Sequence, residues 1–132
     1  MGYSVSWDNP AKTVLLQEYI DPVRKDDFYQ LVQVTASYLS THVHTIHLIL
    51  DERRVNFALT ATDLDYVAKL LPPNQGAVVV ITQYGLLSCK QITLELITQT
   101  VTRQGTYFVE SLKAARQVLQ EHYGVYSATT TA

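Results

Sequence analysis

Polar and apolar positions alternate from Tyr3 to Asp8: Tyr3, Val5 and Trp7 share one face, Ser4, Ser6 and Asp8 the other. A period of two marks a half-buried strand. Asn9-Pro10-Ala11-Lys12 supplies turn chemistry. Residues 13–20 predict a second strand, so the two are expected to form an antiparallel hairpin. The period then changes. Asp21-Pro22 is a suitable helix start, with Asp as cap and Pro in the first turn. After it Phe28, Leu31, Val32, Thr35, Ala36 and Leu39 recur at helical spacing, opposite Lys25, Asp26, Gln30, Gln33 and Ser37.

Residues 45–51 are short and nearly all apolar, as a central parallel strand covered on both faces requires. A second helix is predicted over residues 62–71 and is stopped by Pro72-Pro73-Asn74-Gln75-Gly76. Residues 77–82 form the clearest buried strand, residues 86–99 a third helix and residues 106–109 a fifth strand. The last helix starts near Ser111, buries Leu112, Ala115, Val118, Leu119 and Tyr123, and stops at Gly124. The order ββαβαβαβα predicts an α/β fold: a single-layer, mostly parallel five-stranded sheet with an antiparallel N-terminal hairpin strand and four helices. One domain is expected over residues 1–124, with a disordered tail over residues 125–132.

Composition narrows the class. The 132 residues are 47% hydrophobic, which excludes disorder for most of the chain. The formal charge is −2 and the lysines and arginines are scattered, so nucleic acid is not an expected partner. Cys89 is the only cysteine, and no apolar stretch reaches the length of a membrane helix. The start lacks the pattern of a signal peptide, so a cytoplasmic location without membrane insertion is expected.

Three stretches carry a resemblance. They are Leu50-Asp51 followed by Val55-Asn56-Phe57; Leu71-Pro72-Pro73-Asn74 before Ala77-Val78-Val79-Val80; and residues 107–116, from Tyr107-Phe108-Val109 through Ala114-Ala115-Arg116, with Leu119. With the element order, they make the chain from Val5 to Tyr123 resemble the STAS-like superfamily, in particular the SpoIIAA-like proteins. The resemblance implies a protein-interaction or ligand-sensing module, often dimeric, that acts without a cofactor. Phosphorylatable members carry Asp-Ser-Ser-Gly at the helix start after the third strand. Here the stretch is Leu59-Thr60-Ala61-Thr62-Asp63, which keeps hydroxyls but not that order.

Few groups suggest chemistry. Thr60 and Asp63 have the spacing of a capping box, and Asp63 suits the positive end of the helix dipole. Capping is therefore the expected role of Thr60 and Asp63, with Thr62 the better candidate phosphoacceptor. His42, His44 and His47 are close in sequence, but a three-residue step from His44 to His47 crosses strand faces, so no metal site is expected. Asp51, Glu52, Arg53 and Arg54 follow the third strand, where ligands of open parallel sheets bind; the expectation is a turn cap at Asp51 with the others solvated. Cys89 has apolar neighbours and no adjacent His, so it is expected to be a small core residue rather than a nucleophile.

The third helix has more apolar surface than one face needs. Leu87, Leu94, Ile97 and Val101 form one stripe, and Leu86, Cys89, Ile92 and Leu96 another. A homodimer contact through Leu86, Leu87, Ile92, Leu94, Ile97 and Val101 is expected. The functional expectation is a non-enzymatic regulatory or protein-interaction module that binds itself and another protein, with no cofactor. The alternative is a carrier or sensor of a small apolar, lipid-like ligand held between helices and sheet.

Overall fold

The computed structural model describes residues 2–20, 22–55, 60–82 and 105–126. Five strands, β1 (Tyr3–Trp7), β2 (Val14–Tyr19), β3 (Ile46–Asp51), β4 (Gln75–Ile81) and β5 (Thr106–Val109), form one sheet in the order β1-β2-β3-β4-β5. The β1–β2 pair is antiparallel and the remaining pairs are parallel. Three helices are described: α1 (Lys25–Ser40), α2 (Ala61–Leu70) and α3 (Leu112–Tyr123). The expected third helix of the sequence, with Cys89 and the six residues of the expected dimer face, lies outside the described residues.

Strand alternation sorts the core onto two faces. Leu15, Leu48, Val78 and Val80 pack with Leu39 of α1, and α2 joins that side where Val67 meets Phe28 and Val32. Val14, Ile49, Val79 and Ile81 face the other way and pack with Ala115 and Leu119 of α3. All seven residues of β4 are buried, as a strand covered on both faces must be. The buried residues of α1 are the six apolar-spaced positions Phe28, Leu31, Val32, Thr35, Ala36 and Leu39.

Side-chain bonds set the ends of the elements. Asn9 Oδ1 accepts from the backbone N–H groups of Thr13 (3.0 Å) and Val14 (3.2 Å), which holds the hairpin turn. Gly124 ends α3 in the left-handed conformation, φ 67°.

Two expectations change. Helix α1 starts at Lys25, not at Asp21-Pro22, because Arg24 is extended and its N–H donates to the Asp27 carboxylate at 2.8 Å. That back-reaching carboxylate closes the first turn three residues later than the Asp-Pro pair suggested. The frayed tail expected from Val125 does not include its first two residues: Val125 packs on the α3-side core, and Tyr126 is buried there, its hydroxyl donating to Asp8.

Candidate functional site at the start of the second helix

Helix α2 begins with a reciprocal box. The Asp63 N–H donates to Thr60 Oγ1 at 3.2 Å, and the Thr60 N–H donates to Asp63 Oδ2 at 2.7 Å. Helix α1 adds two donors to the same carboxylate: Lys25 Nζ lies 2.6 Å from Oδ2, and the Tyr29 hydroxyl donates to Oδ1. Asp63 is 2% exposed. Burial alone would raise its pKa, but the bonds from Lys25, the Thr60 N–H, the Tyr29 hydroxyl and the Thr60 side chain outweigh it and hold the carboxyl at about 2. The bond to Asp63 also makes Tyr29 a weaker acid than an ordinary phenol. Tyr29 packs edge-on against Tyr66, 4.9 Å between ring centroids, and Gln33 donates to the Tyr66 hydroxyl at 2.8 Å. The first turn of α2 is thereby fixed to α1. Thr62, one residue before Asp63, is exposed on that turn, whereas Thr60 has its oxygen engaged in the box.

The polar rim after β3 is more closed than expected. Asp51 accepts a fork from Arg53, 3.0 Å from Nε and 2.7 Å from Nη2, and also the Arg53 N–H at 3.2 Å. It caps the turn, and its bond to Arg53 raises the guanidinium pKa further. Glu52 is 8% exposed, which corrects the expectation that it is solvated. Its N–H donates to the Ile81 carbonyl, so the β3–β4 ladder runs one residue past the strand and carries Glu52 inside. Tyr19 on the neighbouring strand is a much weaker acid than usual because it is buried, with Glu52 and Asp27 adding to the effect. Thr82 is 3% exposed and its hydroxyl has no hydrogen-bond partner among the described residues.

The histidines separate. His42 and His44 lie together at the end of α1, 5.0 Å between rings, and His42 packs edge-on to Trp7 at 5.2 Å. His44 Nε2 donates to the Lys12 carbonyl at 2.9 Å. His47 is buried inside the sheet, on the α3 side, against Tyr123. Among the described residues no group of three or more His, Cys, Asp or Glu could hold a metal ion, and no helix is long and apolar enough to cross a membrane. An open groove of about 560 Å³ is lined by Gln33, Ala36, Ser37, Ser40 and Thr41 of α1 and its end, together with Leu70 of α2.

Sequence reading missed a second carboxylate cluster. Asp8, at the end of β1, accepts a fork from Arg116 of α3, 3.0 Å from Nε and 2.7 Å from Nη2, and the Tyr126 hydroxyl completes it. The Asp8 side chain is 4% exposed. Two apolar residues directly after the Gly124 stop are the only local hint, since such residues commonly fold back on the helix they follow.

Compared with protein-family models, curated proteins and solved structures, the chain matches none.

Proposed function

We propose that this chain is a non-enzymatic regulatory or protein-interaction module of STAS-like type, working as a cytoplasmic homodimer. The first turn of α2 is its partner-facing surface, and the apolar excess of residues 86–101 is its dimer contact. The observation that carries the reading is the fixed start of α2. Asp63 is tied to Thr60, Lys25 and Tyr29, while Thr62 stays exposed beside it. A contact surface already held rigid loses little conformational entropy on binding, which suits a recognition element. The surface works without phosphate, because Asp63 and Asp65 closely follow Thr62 and like charge opposes a phosphoryl group there.

Static light scattering on the wild-type chain and on a Leu87→Glu/Leu94→Glu variant tests the proposal. A wild-type dimer and a soluble variant monomer are expected. A wild-type monomer at high micromolar concentration overturns the dimeric reading.

A further inference from the structure

The inner ring of His47 occupies an irregularity in the sheet. Ile46 pairs with Gln75 and Leu48 pairs with Val78, so β4 carries one residue more than β3 across this step. Such a bulge leaves a backbone group without its ladder partner. His47 fills the gap with its side chain: Nδ1 accepts the Ala77 N–H at 2.9 Å. The ring lies so close to the strand that a Cβ on Gly76 would stand 2.5 Å from Nδ1, so only glycine fits. On its other side the ring meets Tyr123 of α3, 4.7 Å between centroids.

We propose that His47 is an acid-operated catch joining the β3–β4 bulge to the last turn of α3. An Nδ1 that accepts a hydrogen bond carries no proton, so the ring must be the neutral Nε2–H tautomer. Protonation turns Nδ1 into a donor facing the Ala77 N–H. The bond is then lost, and a positive charge sits at a position 6% exposed. Among the described residues, the groups packed around the ring offer no compensating charge. Helix α3 contributes Tyr123, with His122 beside it; β5 contributes Tyr107, whose hydroxyl is 3.2 Å from that of Tyr123. The pKa of Tyr123 is pushed up to about 12 by burial and by Tyr107, so it stays a neutral phenol. From the β2 side the aligned residue is Val14, and from β4 the neighbours are Gly76 and Ala77. Burial is the cause that lowers the basicity of His47.

The direction follows from linkage. The closed form binds the proton less readily than an open form, so closure is complete above about pH 6.5 and weakens as the pH falls below it. Opening removes the His47 contact of Tyr123, in the last turn of α3 that leads to Tyr126 and its contact with Asp8. Acid thus loosens the last turn of α3 before the rest of the fold.

Two measurements test the catch in the full chain. In a His42→Gln/His44→Gln/His122→Gln background, the ring-nitrogen shifts of His47 should report an unprotonated Nδ1 at neutral pH and a midpoint below 6.5. Hydrogen exchange at the Ala77 and Tyr123 amides, corrected for the intrinsic pH dependence of exchange, should lose up to about tenfold protection per pH unit below 6.5, down to that midpoint. In His47→Asn the side-chain oxygen keeps an acceptor near Nδ1 but cannot titrate, so this extra loss should vanish. A proton on Nδ1 at neutral pH overturns the proposal without any need for the asparagine variant. So does the same pH profile in wild type and His47→Asn.

Discussion

Asp63 and Asp8 are buried carboxylates with closely similar surroundings. Each takes one cation, Lys25 or Arg116, and one tyrosine hydroxyl, Tyr29 or Tyr126. Asp63 works between α1 and α2 on one face of the sheet, and Asp8 ties the β1 end to α3 on the other. They differ in sequence distance. The box partner of Asp63 is three residues away, whereas Arg116 and Tyr126 lie 108 and 118 residues from Asp8. The first cluster mostly organises a helix that local chemistry already favours. The second closes the chain on itself, and so reports on whether the C-terminal end is docked.

Removing each carboxylate is the strongest way to break the comparison. Asp63→Ala strips acceptors from Lys25, Tyr29 and the Thr60 N–H at once and is expected to lower unfolding free energy by about 2–4 kcal/mol, somewhat below a fully buried pair because Lys25 is 38% exposed. Asp8→Ala should lose about 1.5–3 kcal/mol and, unlike Asp63→Ala, should expose Tyr126 to solvent. Urea unfolding followed by tyrosine fluorescence measures both. Equal exposure of the tail in the two variants would contradict the division of roles.

Acid separates Asp63 from the rest by sign. Its folded pKa of about 2 lies below the ordinary 3.8, so its contribution is complete above that ordinary value and disappears as the pH falls through the folded one. After discounting for screening around Lys25, about 1–2 kcal/mol of acid-dependent stability is expected. Asp63→Asn should flatten the stability profile between pH 4 and pH 2, by the values that bound the shift. An unchanged profile would show that the carboxylate is not held ionised by its donors.

Legibility in the sequence follows the same contrast. The capping pair Thr60 and Asp63 is a local pattern and can be read without knowing the fold. The helical stripe of α1, the continuous burial of β4 and the stop at Gly124 are local in the same sense. The antiparallel hairpin edge and the parallel remainder follow from element order, through the handedness of crossovers. Lys25 and Tyr29 could not be tied to Asp63, because their meeting depends on how α1 and α2 pack. Asp8 looked like one more polar residue on an outward strand face. Only closure of the whole domain brings Arg116 and Tyr126 to it. Glu52 misled for a related reason: a charged run after a strand looks solvated until the ladder extends one residue further.

Smaller substitutions sharpen the picture. Thr60→Ala should lower stability by about 0.5–2 kcal/mol, the range for loss of a helix cap. Tyr29→Phe and Tyr126→Phe each remove one hydroxyl and keep the ring; about 0.5–1.5 kcal/mol is expected from Tyr126→Phe, and a smaller loss from Tyr29→Phe. Thr62→Ala should change stability by less than about 0.5 kcal/mol, since its side chain stands outside the box. Thermal unfolding of the four variants in one buffer ranks them. A loss at Thr62 as large as that at Thr60 would place Thr62 in the cap and remove it from the exposed surface.

Native mass spectrometry of the chain purified without an affinity tag tests the central claim most directly, because it reads assembly and cargo together. The account predicts a dimer whose mass is that of two bare chains. A monomer carrying a small apolar molecule would contradict it and make the chain a carrier instead.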